Sequence, residues 1–409
     1  MKDELAEALL ARVMGWDQQK VAQERAVLQD MARYKYDEYQ QFAPGQRFIE
    51  SLALWLRQFP AGEPRAVAYQ FIRRRLIFIS AAEMDQLVGL SFPALIRPWL
   101  MGMIAAANGI PHHRVKAIEV SEAYKLLLRQ TLFLGLSDGA NTGRFRRANP
   151  FLSNEQVWHA YEISDDKAAD FKKKLKKDLK KRLDREPTDA ECRYRAVVLL
   201  DDFTASGLSY LRNDKDDGPT GKIQKIWKRL KDPNSEFSEF VDQDAVTLLI
   251  VFYVAAAQGI EHLRSELPDV LGLPAETLKV VHALPPGIRV IGGADDAFLK
   301  LAAEDRYFDP AADDEHGEVG GASKRYGFAE CRLPVVLSHN TPNNSLFLLW
   351  AEAECRRLRE CLCGIQSSAR RERSSNGGGI GTQILGFCNA SESSLPEVSR
   401  HFNELINVR

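Results

Sequence analysis

The stretch AVVLLDDFTASGLSYLR, residues 196–212, decides how the chain is interpreted. Its first five residues are apolar, as in a strand that is buried on both faces. Two adjacent acids, Asp201 and Asp202, follow at the expected end of that strand. Small and hydroxylated residues come next, and we expect them to form the turn into a helix. Because two neighbouring carboxylates are costly at the end of a buried strand, we expect a binding site here.

Four further segments contain a short, continuous run of apolar residues of the same kind. They cover residues 131–140, 245–254, 278–284 and 333–340. Such runs are typical of parallel strands in an α/β domain, and ligands collect at the carboxyl ends of these strands. Two of the runs lead into polar sequences, SDGANTGR (137–144) and SHNTPNN (338–344). We expect both segments to face the same cleft as the two acids.

The N-terminal part of the chain has the apolar spacing of helices. Apolar residues recur at intervals of three and four in 48–59 and 82–107, and Ser80 with Glu83 forms a candidate capping box. Pro93 and Pro98 are expected to break the second segment. We predict an α-helical region over 1–115, an α/β domain with a mainly parallel sheet flanked by helices over 116–350, and a largely irregular Ser/Arg/Gly-rich tail over 351–409.

Composition excludes several classes of protein. The 409 residues carry a formal net charge of −1, with 45% hydrophobic and 27% charged residues, so no strong bulk attraction to nucleic acid or membrane is expected. We see no apolar run of the ~20 residues that span a bilayer, and the charged N-terminus lacks the apolar core of a signal peptide. We expect a cytoplasmic protein without a membrane partner. Four of the six cysteines crowd into the tail, where their spacing favours reduced thiols over a zinc site.

The segment FKKKLKKDLKKRLDR, residues 171–185, predicts a basic helix. Phe171, Leu175, Leu179 and Leu183 recur every four residues and form one narrow apolar stripe. One interpretation is a solvated helix that docks by this stripe. The other is contact between Lys172–Arg182 and a nucleic-acid backbone, because lysines around a helix match phosphates without reading sequence.

The chemistry of residues 201–209 favours a phosphorylated sugar. A helix start has unpaired N–H groups that bind phosphate, and Gly207 permits a backbone angle closed to other residues. Phosphate alone would repel the two acids, whereas carboxylates accept from adjacent hydroxyls. A ribose 5-phosphate satisfies both requirements, with its hydroxyls at Asp201 and Asp202. We expect its phosphate to be bound by Thr204, Ala205, Ser206, Gly207 and Ser209.

Two other interpretations of this stretch compete. VVLLDD also has the pattern of a Walker B strand, but the nearest glycine-lysine segment, Gly218–Lys222, lacks the G-x4-GK[ST] spacing and lies downstream. An aspartate that only caps a helix explains one acid but neither the second acid nor the loop.

The stretch resembles the 5-phosphoribosyl-1-pyrophosphate (PRPP) motif of type I phosphoribosyltransferases. The resemblance implies that Asp201 and Asp202 contact the ribose hydroxyls, and that Mg²⁺ bridges ribose and pyrophosphate oxygens, touching the acids only through ribose or water. It also implies an upstream loop that receives the pyrophosphate. By order along the chain, the candidates for that loop are Ser137, Asp138, Gly139, Arg144, Arg146 and Arg147.

Longer motifs resemble a narrower family, the phosphoribosyltransferase-like effectors of bacterial conflict systems, PRTase-CE. They include LFLGLSDGANTGRFRRAN (132–149), VVLLDDFTASGLSY (197–210) and YGFAECRLPVVLSHNTPNNSLFLLW (326–350). The resemblance implies a toxic or signal-processing effector of antiphage defence. Some relatives are encoded beside a retron reverse transcriptase and a winged-helix DNA-binding protein, so a complex containing reverse-transcribed DNA is an expected partner.

The polar segment after residue 337 supplies candidates for reading a base or an acceptor group. These are His339, Asn340, Asn343 and Asn344, although the asparagines could equally tie the backbone of their own loop. Two functions stay open at this point. The protein either transfers or cleaves at ribose C1 of PRPP or a nucleotide, or it binds the ribose phosphate as a sensor or scaffold without catalysis.

Overall fold

The structure, a computed structural model, describes residues 3–43, 45–159, 165–214, 218–313, 319–321 and 323–350. The tail predicted over 351–409 lies outside these residues, together with its four cysteines. All described residues belong to one compact unit. The helices are α1 (Asp3–Met14), α2 (Gln18–Tyr34), α3 (Phe48–Arg57), α4 (Glu63–Arg75), α5 (Ala81–Ser91), α6 (Arg97–Asn108), α7 (Val115–Val120), α8 (Glu122–Arg129), α9 (Thr142–Ala148), α10 (Asp165–Leu183), α11 (Lys222–Lys231), α12 (Ala257–Leu271), α13 (Asp296–Ala303) and α14 (Phe347–Trp350). The strands are β1 (Ile77–Ile79), β2 (Thr131–Gly135), β3 (Val157–Trp158), β4 (Ala196–Thr204), β5 (Arg212–Asp214), β6 (Gly218–Thr220), β7 (Thr247–Ala256), β8 (Leu278–Leu284) and β9 (Val335–Leu337).

A five-stranded parallel sheet forms the centre of the fold, in the order β3-β2-β4-β7-β8. Four of the predicted apolar runs supply β2, β4, β7 and β8, which confirms the α/β class. In β4 each of the residues 196–200 is fully buried, as a strand covered on both faces requires. The two-residue strand β3 was not predicted.

Side chains of β4 alternate between two cores. Val198 and Leu200 pack with residues of α5, α6 and α8 on one face of the sheet. Val197 and Leu199 pack with residues of α10, α11 and α12 on the other face. Because successive side chains of a strand point to opposite faces, Asp201 and Asp202 enter different surroundings although they are neighbours in the chain.

The fifth predicted run does not join the central sheet. Its strand, β9, covers only Val335–Leu337 and pairs in parallel with β1, in a separate two-stranded sheet. This small sheet lies between two cores. Phe78 and Val336 pack with α1–α4 in a third core, whereas Ile79, Val335 and Leu337 pack in the core that contains α5, α6 and α8. Phe71 stacks on Phe298 with ring centroids 3.6 Å apart. The boundary expected near residue 115 stays a prediction.

Helices α5 and α6 form one continuous run. A π-helical turn, Phe92–Ile96, contains Pro93 and joins the two helices. The two prolines therefore do not separate the segment into independent helices as expected, and the helix only widens at this turn. The capping box at Ser80 is confirmed: Ser80 Oγ accepts from the Glu83 N–H at 3.1 Å, and a Glu83 carboxylate oxygen accepts from the Ser80 N–H at 2.8 Å. By length and composition Ala81–Asn108 could cross a membrane, but its buried side chains pack against the central sheet.

Candidate functional site

The helix expected directly after the acids is not present. Strand β4 continues to Thr204, so both acids lie inside the strand, and residues 205–211 form a loop. The β5–β6 hairpin follows, and the next helix, α11, begins only at Lys222. The prediction that Thr204–Ser209 form a helix start is therefore wrong, whereas phosphate binding by these residues stays a prediction.

Two glycines explain why the loop turns back instead of starting a helix. Gly207 has φ +81°, and a Cβ there would lie 2.8 Å from His262 Cδ2 and 3.0 Å from Leu263 Cγ. A Cβ at Gly259 would lie 2.6 Å from the Ala205 carbonyl oxygen. The loop backbone thus lies directly on the first turns of α12, a close approach that side chains at these positions would prevent.

The loop still offers backbone donors. Among the described residues, the N–H groups of Ser206, Gly207 and Ser209 donate to no acceptor. Ser206 and Gly207 are buried, whereas Ser209 is exposed. The buried Thr204 Oγ1 also has no hydrogen-bond partner among the described residues. Because buried polar groups are normally paired, these unpaired groups are suited to a ligand.

Asp201 is fully buried, and its carboxylate is held by protein groups. Ser137 Oγ hydrogen-bonds to one carboxylate oxygen. The Tyr210 hydroxyl donates to the other at 2.8 Å and also contacts the Phe203 carbonyl at 3.0 Å. Asp201 therefore presents no oxygen to solvent in this arrangement, and it links the loop after β2 to the loop after β4.

Burial raises the pKa of Asp201 to about 7, and the neighbouring charge of Asp202 acts in the same direction. The hydrogen bonds from Ser137 and Tyr210 oppose this rise only in part. Burial together with the Asp201 charge raises the pKa of the Tyr210 phenol well above its ordinary value. The pair is thus a protonated phenol beside a carboxyl group that titrates near neutrality.

Asp202 faces the other side of the strand and keeps some exposed surface. Its side chain is 11% exposed, and its carboxylate oxygen Oδ2 lies 2.8 Å from His339 Nε2, whose side chain is 29% exposed. A Cβ at Gly139 would lie 2.6 Å from the Asp202 carboxylate, so only a glycine allows this contact. Three predicted segments therefore meet at Asp202: the loop after β2, the end of β4 and the segment after β9.

The segment that carries His339 is tied down by the N-terminal region. The Gln41 side chain donates to the His339 carbonyl at 2.9 Å, and the Gln40 N–H donates to the Ser338 carbonyl at 2.8 Å. Tyr39 and Thr341 hydroxyls lie 2.8 Å apart. The helical region thus fixes the position of the histidine over Asp202.

The three predicted asparagines have other surroundings. Asn340 is exposed, and its backbone forms a turn with Leu337. Asn343 is exposed and accepts from the Phe328 N–H through its carbonyl at 2.8 Å. The Asn344 side chain donates to the Phe328 carbonyl at 3.3 Å. Among the described residues, only the Asn344 side chain of these three forms hydrogen bonds, and they join it to the segment at Phe328–Cys331. Both roles of the asparagines stay predictions.

The loop after β2 brings only part of its predicted set to the acids. Ser137 and Gly139 contact Asp201 and Asp202, whereas Asp138 is exposed. The arginines lie on α9: Arg144 pairs with Asp85 of α5, and Arg146 donates to Asn154. Arg147 is exposed. In this arrangement two of the three arginines are engaged away from the acids.

The acids do not form a direct metal site here. Both Asp201 oxygens accept hydrogen bonds from protein groups, and Asp202 faces His339. Across the described part of the chain no group of three or more His, Cys, Asp or Glu residues could hold a metal ion. The residues are compatible only with an indirect role toward Mg²⁺, through Asp202.

Sequence reasoning missed two tyrosines of the site. Tyr210 lies within residues 196–212 and donates to Asp201. Tyr253 of β7 donates to the Ala140 carbonyl at 2.9 Å and so stabilises the loop after β2. For Tyr253 the signal is a hydroxylated aromatic residue within a fully apolar run, because a buried phenol needs a hydrogen-bond partner. Tyr210 follows a polar loop and carries no such signal.

The lysine-rich helix docks as its stripe predicts. Phe171, Leu175 and Leu179 of α10 are buried in the core that covers one face of the sheet. Lys174 pairs with Glu155 and Asp170, and Lys180 pairs with Glu186. The other lysines of α10 that follow Phe171 form no ion pair with a described residue. They are Lys172, Lys173, Lys176, Lys177 and Lys181.

The parallel sheet, the helices on both faces and the paired loops at the ends of β2 and β4 define a phosphoribosyltransferase-like α/β protein. Residues 52–356, well over half of the chain, match the profile of the PRTase-CE family. The chain belongs to the PRTase-CE family. No curated protein and no solved structure matches it.

Proposed function

We propose that the carboxyl edge of the sheet binds a phosphorylated pentose, either PRPP or a nucleotide. Asp202 accepts from the ribose hydroxyls, because it is the acid that keeps exposed surface. The loop at 204–209 binds the 5-phosphate. The observation that carries the proposal is the set of unpaired N–H groups of Ser206, Gly207 and Ser209, which follow Asp202 directly in the chain.

In this proposal Asp201 is a positioning residue. Its carboxyl group joins Ser137 to Tyr210 and so holds the two ligand-facing loops at a constant separation. Mg²⁺ would be held by phosphate and ribose oxygens of the ligand, with Asp202 contacting it through water. Bound in this way, the ion would neutralise phosphate charge, and the protein contacts described above do not depend on it.

Thermal unfolding of the full chain tests the sugar-phosphate site. PRPP, ribose 5-phosphate and AMP are compared with inorganic pyrophosphate at equal concentration. We expect at least one sugar phosphate to raise the Tm and pyrophosphate to leave it unchanged, because a ligand stabilises the state that binds it. Equal Tm values with all four compounds would rule out the site.

A non-catalytic role is the second candidate, and the arginine contacts favour it. Arg144 and Arg146, which would stabilise a departing pyrophosphate, pair with Asp85 and Asn154 instead. Incubation with PRPP, Mg²⁺ and a nucleotide mixture, followed by chromatography for pyrophosphate and free base, separates the two candidates. Product formation supports transfer or cleavage at ribose C1, whereas binding without product supports a sensor or scaffold.

We further propose that the protein is an effector of an antiviral defence system. Membership of the PRTase-CE family supports this. A retron setting, with a reverse transcriptase, its RNA and DNA, and a winged-helix protein, belongs to the same proposal, and the exposed lysines of α10 would contact the nucleic acid. Phage plating on cells that carry the complete system tests it: Asp202→Asn is expected to abolish protection, and full protection by this variant would contradict the proposal.

A further inference from the structure

A groove of about 420 Å³ lies on the protein away from the acids. It runs between helix α10 and residues 151–156, and we call it the 151–156 groove. Its lining includes Arg129, Phe151, Ser153, Asp178, Lys181 and Arg182. Arg129 and Phe151 precede β2 and β3 in the chain, so the groove is at the amino edge of the parallel sheet. The acids are at the carboxyl edge, and the two places can be altered independently.

The groove has an open aromatic ring on one side. Phe151 is 57% exposed, although phenylalanine is usually buried. The ring is supported by Phe92 of the core, with centroids 4.9 Å apart at 60°. This support orients the ring and leaves the rest of its surface accessible to a ligand.

The opposite side of the groove is positively charged. Arg129 is almost fully buried, and its Nε and Nη2 both lie 2.9 Å from Asp178 Oδ2, so these two charges offset each other. Lys181 and Arg182 are exposed, and neither forms an ion pair with an acid among the described residues. Arg182 donates to the Lys125 carbonyl at 2.9 Å, and its charge reaches Glu122 at longer range. At the rim, Glu155 is paired with Lys174 at 3.3 Å. The groove therefore keeps two cations that have no ion-pair partner among the described residues.

The positive charge continues along the helix beyond the groove. Lys173, Lys177 and Lys181 follow one another at four-residue intervals and are exposed. Eight residues of α-helix rise by about 12 Å. A row of this length exceeds the reach of one nucleotide and suits several consecutive phosphates.

We propose that the 151–156 groove, together with the row formed by Lys173, Lys177 and Lys181, binds single-stranded nucleic acid. One base would stack on Phe151, and the phosphate backbone would contact Arg182 and the three lysines of the row. An aromatic platform beside a basic track is the recognition mode of single strands, whose bases are free to leave their neighbours. In a duplex the bases stay stacked on each other and do not stack on Phe151. An acidic peptide would bind the cations but has no base to stack on this ring. This inference rests on the nucleic-acid contact proposed for α10 and is independent of the sugar-phosphate site.

Fluorescence anisotropy of the full chain tests the groove. The probes are labelled (dT)20, (rU)20 and a 20-base-pair DNA duplex, titrated between 50 and 300 mM NaCl. We expect tighter binding of at least one single strand than of the duplex, and the two single-strand probes distinguish DNA from RNA. Equal affinity for the duplex, or equal displacement by polyglutamate, would overturn the inference.

Variants separate stacking from charge. Phe151→Ala is expected to weaken single-strand binding about tenfold without changing the salt slope, and Phe151→Trp to restore it, which excludes loss of folding. Lys181→Ala with Arg182→Ala should lower the slope of log K against log salt by about 1.4, because about 0.7 is lost per phosphate contact. Arg114→Ala with Lys116→Ala, two exposed cations near α7, is the charge-matched control and should change neither quantity.

The outcome also separates this inference from the wider proposal. If Lys173→Ala with Lys177→Ala weakens binding while the Phe151 and Lys181/Arg182 variants do not, the contact of α10 stands and the groove is wrong. If the wild type binds none of the probes, both are wrong. The sugar-phosphate Tm test is unaffected by either result.

Discussion

His339 Nε2 lies 2.8 Å from the Asp202 carboxylate, which joins the segment after β9 to the end of β4. Asp202 lies in the central sheet and His339 in the turn after β9, where contacts from Gln40 and Gln41 hold the histidine segment in place. Asp202 is the acid proposed to accept from ribose hydroxyls. If Asp202 binds ribose hydroxyls as proposed, those hydroxyls would compete with His339 for the Asp202 carboxylate.

Replacement of His339 tests this competition. His339→Ala removes the partner of Asp202, so we expect severalfold tighter binding of ribose 5-phosphate, measured by calorimetry. Thr341→Ala, which loses only the hydroxyl contact with Tyr39, is the control within the same segment. Weaker binding by His339→Ala would show that the histidine contacts the ligand instead of competing with it.

Asp201 makes stability depend on pH. Its pKa is about 7 in the folded protein and near 3.8 in an unfolded chain, so the folded state binds more protons between these values. Its contribution is fully favourable below about pH 4 and is lost as the pH rises through 7. Asp201→Asn should therefore gain stability relative to wild type by roughly 2 kcal/mol or more between pH 5 and pH 8.

Urea unfolding at both pH values measures this difference. Asp269→Asn, an exposed acid of α12, is the control and should leave the pH dependence unchanged. If wild type and Asp201→Asn differ in their free energy of unfolding by the same amount at pH 5 and pH 8, the buried arrangement of Asp201 is contradicted.

Much of the fold could be predicted because β2, β4 and β7 are buried on both faces, which leaves continuous apolar runs in the sequence. The edge strand β8 is partly exposed and still carries an apolar run. The short strands β1 and β3 could not, since two or three residues carry no pattern. Strands β1 and β9 pair although they come from distant parts of the chain, and their residues pack in two different cores. Non-local contacts of this kind leave no local signal.

The candidate site was predictable in its location and less so in its detail. The acids and the segments after β2 and β9 do meet. However, residues 204–209 have the composition of a turn into a helix, and the sequence does not reveal that Gly207 and Gly259 bring the loop onto α12. The pleat of β4 separates Asp201 from Asp202, a difference that strand periodicity alone implies once the strand is known to reach Thr204.

Tyr210 should contribute to stability through its hydroxyl. Tyr210→Phe leaves the buried Asp201 carboxylate without this donor and removes the hydroxyl contact with the Phe203 carbonyl, so we expect a loss of about 1–3 kcal/mol in the free energy of unfolding. Tyr34→Phe, at a side chain that is 80% exposed, should cost almost nothing. Equal effects of the two substitutions would argue against the Asp201 contact.

Gly207 tests the close approach of the loop to α12. Gly207→Ala combines the cost of a positive φ with steric overlap at His262 and Leu263. Gly272→Ala has a positive φ as well, φ +64°, but no atom within 4 Å of the new Cβ. We expect Gly207→Ala to lower the free energy of unfolding by at least about 1 kcal/mol more than Gly272→Ala. Equal losses would mean that the loop is free of the helix.

Isothermal titration calorimetry of PRPP into wild type and Asp202→Asn tests the sugar-phosphate site most directly, with Asp269→Asn as the control. We expect measurable binding by wild type and the control, and at least roughly tenfold weaker binding by Asp202→Asn, because a charged acceptor is lost. Unchanged affinity in Asp202→Asn, with an unchanged Tm, would contradict the proposed site.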